Sequence, residues 1–118
     1  MLMNIKQVKR LNMTNMKKKR VDKEFAGIVK KKLKSHLKKI VLFGSRARGD
    51  YHDGSDYDML VIVDRNDRTV RDIILDACVE IMDRYYELIG CIICDEEEWE
   101  MKKRFPIGLN IIKEGVEL

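Results

Sequence analysis

From residue 21 to 36 the apolar positions Phe25, Ile28, Val29 and Leu33 recur at helical spacing, with lysines on the opposite side. That pattern predicts an amphipathic helix. Residues 39–43 change to a β-branched and aromatic run, which predicts a buried strand. A glycine- and arginine-rich turn, Gly44-Ser45-Arg46-Ala47-Arg48-Gly49, and a polar loop over 50–55 follow. Residues 56–64, DYDMLVIVD, carry the strongest strand signal of the chain. Asn66, Asp67, Arg68 and Thr69 read as turn and cap. The helix after them, about 70–86, has Ile73, Ile74, Ala77, Cys78, Ile81, Met82 and Tyr85 as its apolar stripe. A third strand is predicted over 88–94. The acidic run from Asp95 to Glu98 suits the first turn of a helix reaching about 104, where negative charge meets the positive end of the helix dipole. Pro106 suits the start of one more helical segment, ending near Gly115.

The order helix, strand, strand, helix, strand, helix indicates an α/β (α+β) fold: a small mixed sheet flanked by helices. The link from the second strand through the long helix to the third is compatible with a right-handed crossover between parallel strands. At 118 residues the chain has room for one domain. No stretch approaches the roughly 18 consecutive apolar residues of a membrane span. The N-terminus lacks the apolar core of a secretory signal. The expectation is a cytoplasmic protein.

Charge divides the chain. Residues 1–39 hold fourteen of the 24 Lys and Arg but only two acids, whereas 40–118 hold ten basic and eighteen acidic residues. The net charge of +4 therefore belongs to the N-terminal part. Residues 1–20 show no core-forming face and read as a basic, disordered leader ahead of a domain over 21–118. Such a leader has the composition to touch RNA or an acidic partner, although a solvated arm is the simpler reading.

Cys91 and Cys94 spell C-x-x-C, but on a strand residues three apart point to opposite faces. Cys78, His36 and His52 are scattered, so no zinc set is apparent. Packing cysteines are expected.

Two short motifs carry candidate chemistry. Gly44-Ser45 follows a strand and opens a segment that turns as a helix, offering free amides and a hydroxyl to a phosphate. Arg46 and Arg48 add guanidinium groups suited to phosphate oxygens. Asp56 and Asp58, two apart at a strand start, project from one face, with Tyr57 and Met59 opposite. Adjacent carboxylates repel unless a cation sits between them. Mg²⁺ fits, since it takes one or two carboxylates together with phosphate oxygens and water. His52 and Tyr51 lie in the polar loop. Tyr57 and Trp99 are expected to pack.

Gly44-Ser45, ten intervening residues, then Asp56-Tyr57-Asp58 between apolar strands resembles the signature of the DNA polymerase β-like nucleotidyltransferase superfamily. The small size narrows the resemblance to the minimal nucleotidyltransferase family. The resemblance implies that Gly44 and Ser45 hold the triphosphate of ATP, and that Asp56 and Asp58 are catalytic ligands of two Mg²⁺ ions. It implies transfer of AMP with release of pyrophosphate. It also implies a partner, an all-helical HEPN-domain ribonuclease toxin, for which the transferase is a type VII-like antitoxin that modifies a tyrosine or masks the active site. Active superfamily members usually carry a third carboxylate on the strand corresponding to 88–94. Here its place falls at Gly90 or Ile89, neither of which can serve. Glu87 and Asp95 flank the strand, each requiring a shifted register or a bent strand end, and Glu87 is the better candidate. Two alternatives follow: a catalytically silent nucleotide-binding antitoxin that acts by contact, and RNA binding through the basic N-terminus. An exposed sheet edge would also allow a homodimer.

Overall fold

The computed structural model describes Asn4 and residues 20–118. The expectation for the basic leader therefore lies outside the described residues, apart from Asn4 and Arg20. Helix α1 (Val21–Leu33) ends in a single 3₁₀ turn (Lys34–His36) that feeds strand β1 (Leu37–Phe43). A four-residue helix α2 (Ser45–Arg48) and the polar loop lead to β2 (Tyr57–Val63). Then come α3 (Arg68–Tyr85), β3 (Ile89–Asp95), α4 (Glu96–Lys102), α5 (Pro106–Glu114) and a two-residue strand β4 (Val116–Glu117).

Local chemistry sets the boundaries. Asp67 caps α3 by accepting from the Val70 N–H at 2.9 Å, and Asp95 forms a full capping box with Glu98 at the start of α4. Pro106 stands at the first position of α5, where its missing N–H costs nothing. The predicted helix over 21–36 is shorter in the structure. Lys34, at φ 52°, leaves the helical conformation and lets β1 begin two residues early.

The sheet order is β3-β2-β1-β4. Strands β1 and β2 are antiparallel, β2 and β3 parallel, and β4 pairs antiparallel with β1. The sheet is mixed, as its pattern predicts. Alternation divides the buried residues between two faces. One face carries Ile40, Leu42, Met59, Val61 and Val63 against α1 and α3, in a cluster of 15 buried residues. The other carries Val41, Phe43, Leu60, Ile62 and Cys94 against Ile111 of α5, a cluster of six. Trp99 packs partly against this smaller cluster, and Tyr57 against the larger one, as expected of them. Cys91 faces the larger cluster and Cys94 the smaller, so the C-x-x-C pair is split. Cys91 instead meets Cys78 of α3, sulfur to sulfur at 3.5 Å. The contact between the two thiols is the largest influence on each, pushing Cys91 up and Cys78 down. No helix among the described residues is long and apolar enough to cross a membrane.

Candidate active site

Three strands meet at one end of the sheet: β1 finishes there, and β2 and β3 begin. Across that end Phe43 pairs with Asp58, and Asp58 with Gly90. Directly paired residues share a face, so this row lies on the side of the smaller cluster, beneath α5. Asp56 precedes β2 by one residue and is exposed. It is close enough to act on Asp58 electrostatically. The Asp58 carboxyl is held above the ordinary carboxylate range, first by burial, then by the neighbouring charge of Asp56, with Glu114 adding to it and Arg48 opposing it. The two carboxylates are thus electrostatic neighbours.

Gly44 closes against this pair. Its φ of +74° and ψ of −160° lie in a region essentially reserved for glycine. A Cβ built there would stand 2.2 Å from Asp58 Oδ2. Only a bare Cα lets the turn and the carboxylate share this space. The turn then runs into α2, where the Ala47 and Arg48 N–H groups donate to the Gly44 carbonyl at 3.1 and 3.0 Å. Ser45 is the first residue of α2 and is partly exposed.

The two arginines leave α2 in different directions, since positions two apart on a helix are separated by about 200°. Arg46 turns inward. Its guanidinium lies 4.3 Å from the Tyr51 ring centre and 4.4 Å from that of Tyr57. It donates through Nε and Nη2 to the Ser55 carbonyl at 3.3 and 3.1 Å and faces Glu87 at 3.7 Å. Arg48 turns outward. Its Nε donates to Asp50 at 3.2 Å, and its Nη1 to both oxygens of Glu114 at 3.1 Å.

Glu87 is buried and its charge acts on Tyr57, on the α1–α3 side of the sheet. It is not among the groups that act on the Asp58 carboxyl. The position that does face that carboxyl is Gly90, where an added Cβ would stand 3.7 Å from Asp58 Oδ1. His52 is exposed, and its Nδ1 accepts from the Gly54 N–H at 3.1 Å, an arrangement internal to its loop. Glu114 was not legible as a site residue. It lies 70 positions from Gly44, whose N–H it accepts at 3.0 Å.

No group of three or more His, Cys, Asp or Glu side chains among the described residues is arranged to hold a metal ion. Two carboxylates are what Mg²⁺ takes when phosphate oxygens and water complete its six ligands. Burial raises Asp58 first, and the repulsion from Asp56 that adds to it is the part a cation between the two carboxylates would relieve.

Comparison with known proteins agrees with this geometry. The nucleotidyltransferase domain family matches residues 22–112. MJ0604 of Methanocaldococcus jannaschii, named as a candidate protein adenylyltransferase, is 35% identical over 100 residues, covering 85% of this chain and 96% of that protein. A crystal structure named as that of a candidate nucleotidyltransferase is 28% identical, with a TM-score of 0.51 over 81% of this chain and 95% of the other. A crystal structure of a toxin–antitoxin with AMP-PNP shares the fold at a TM-score of 0.53 and 18% identity, covering 79% of this chain and 68% of that one. The chain belongs to the nucleotidyltransferase domain family.

Proposed function

We propose that this nucleotidyltransferase is an antitoxin that transfers AMP from ATP to a side-chain hydroxyl of a HEPN-type toxin partner. The observation that carries the reading is the close approach of the Gly44 turn to Asp58, with Asp56 beside it. In this reading Gly44 and Ser45 receive the triphosphate, and Asp56 and Asp58 hold one or two Mg²⁺ ions. Bound magnesium would neutralise the carboxylate pair and the charge on the phosphate oxygens. Arg48 faces the same side of the sheet and supplies a guanidinium to the phosphates. Arg46 serves from the opposite side, paired with Glu87 and holding the Ser55 carbonyl and through it the chain entering Asp56.

In the transfer the acceptor hydroxyl oxygen attacks the α-phosphorus. The bond from that phosphorus to the oxygen bridging to the β-phosphate breaks. Pyrophosphate leaves and the hydroxyl proton passes to water. The chain's own contribution is placement and charge, which supply much of the catalysis in phosphoryl-type transfers. ATP as the nucleotide and a toxin as the acceptor draw support from the relatives' names and from the likeness to a toxin–antitoxin with AMP-PNP.

The test is transfer of label from α-labelled ATP to the co-purified partner in Mg²⁺. Asp56→Asn and Asp58→Asn should each lower it by roughly 100-fold or more. Full transfer by either variant refutes the ligand assignment.

One observation favours a second reading, neutralisation by contact with little or no catalysis. Gly90 stands in register with Asp58 where active superfamily members are expected to place a third carboxylate. Tight association of the pair with no nucleotide-sized mass gain in ATP and Mg²⁺ would select it.

A further inference from the structure

Glu114 stands at the C-terminal end of α5, where the partial negative charge of the helix disfavours a carboxylate. It also lies beyond the segment 22–112 matched by the family. Nothing local explains it, yet it makes three hydrogen bonds to the turn after β1. Its Oε1 accepts from the Gly44 N–H at 3.0 Å and from Arg48 Nη1 at 3.1 Å, and its Oε2 accepts from the same Nη1 at 3.1 Å. Its side chain is only 18% exposed, against 45% for Arg48. The carboxylate is therefore the fixed member of the pair. With Nε on Asp50 and Nη1 on Glu114, Arg48 is held at two of its three nitrogens, and Nη2 has no partner among the described residues.

We propose that Glu114 is a positioning residue of the triphosphate turn: it anchors the Gly44 N–H and aligns Arg48 so that the uncommitted Nη2 meets a phosphate oxygen. The inference rests on the nucleotide-binding reading above. Glu114 does not touch the nucleotide. It acts by removing the freedom that an arginine otherwise loses on binding, and by keeping the Gly44 turn against Asp58. A carboxylate this close to a polyanion also repels it. Positioning therefore predicts weaker nucleotide binding when Glu114 is removed, whereas a carboxylate that merely blocks the site predicts tighter binding.

The experiment is calorimetric titration of the full chain with a non-hydrolysable ATP analogue in Mg²⁺, with thermal melts in parallel. Glu114→Ala should raise Kd roughly tenfold, the scale of a lost hydrogen bond to a charged group. Glu114→Gln keeps an acceptor for Gly44 and should raise it less. In an Arg48→Ala background the further effect of Glu114→Gln should shrink to within about twofold, because the two residues act as one unit. A general loss of stability would instead weaken binding equally in both backgrounds. Tighter binding by Glu114→Ala, unchanged binding by both Glu114 variants, or full additivity with Arg48→Ala each overturns the assignment. If Glu114→Ala fails to fold, the Glu114→Gln and Arg48→Ala pair carries the test. Failure of the unaltered chain to bind the analogue overturns the nucleotide reading itself, a result distinct from binding that ignores Glu114.

Discussion

Replacing Gly44 by alanine tests the centre of the site with one methyl group. At φ +74° and ψ −160° an alanine bears strain of about 1–3 kcal/mol. The new Cβ also meets Asp58 Oδ2 at 2.2 Å, where ordinary contact begins at 3.4 Å. Relief requires the carboxylate to retreat by more than about 1 Å, and misplacement on that scale costs roughly 100-fold in a positioned reaction. The strain corresponds to a fall in melting temperature of about 4–12 °C for a domain of this size. Gly49→Ala is the matched control. Its φ is +90°, but nothing lies within 4 Å of an added Cβ. It should cost about 1–2 kcal/mol of left-handed strain and leave cation binding within about twofold of the unaltered chain. The assay is a thermal melt of each variant with Mn²⁺ or Mg²⁺ titrated by calorimetry. The reasoning is refuted if Gly44→Ala melts and binds like the unaltered protein, or if both glycine variants weaken cation binding to the same degree.

As the proposed cation ligand, Asp58 would make binding depend on pH. Its carboxyl is raised by burial and by Asp56, so in the metal-free fold its favourable contribution is complete below the ordinary carboxylate range and is lost as pH rises through the raised value. A cation needs the ionised form. The rise in melting temperature on adding Mg²⁺ over EDTA should therefore be larger near about pH 7 than near about pH 4, and an equal rise at both would count against Asp58 as a ligand. Gly90→Asp places a carboxylate toward Asp58 from an open position on β3. It should tighten divalent-cation binding by roughly tenfold, read by calorimetry, while lowering stability in EDTA. Arg46→Ala removes the stacking on Tyr51 and Tyr57 and the bonds to the Ser55 carbonyl. It should cost about 2–4 kcal/mol in denaturant unfolding, and Arg46→Lys should recover little, since an ammonium has no planar fork to lie between two rings.

Much of the fold was legible because period and punctuation agreed. The strand over 56–64 appears as β2 at 57–63, and the caps at Asp67 and Asp95 fall where helix-start chemistry puts them. That Asp56 and Asp58 lie close enough to interact was legible too, from a separation of only two residues. Gly90 as the place opposite Asp58 follows from the parallel register. What escaped sequence reading depends on contacts between distant segments. Both arginines of the turn were expected to meet phosphate, yet the helical turn between them sends Arg46 toward Tyr57 and keeps only Arg48 on the side of Asp58, where it meets Glu114. The approach of Cys78 to Cys91 and the edge strand at 116–117 likewise depend on how α3 and α5 settle on the sheet, which no local pattern encodes.

The unequal division of buried residues between the two sides of the sheet has an evolutionary consequence. Most of the cohesion sits behind the strands, while the carboxylates open onto the thinly covered front. Substitutions among the exposed residues of α4 and α5 can therefore accumulate on that front while the larger cluster stays intact.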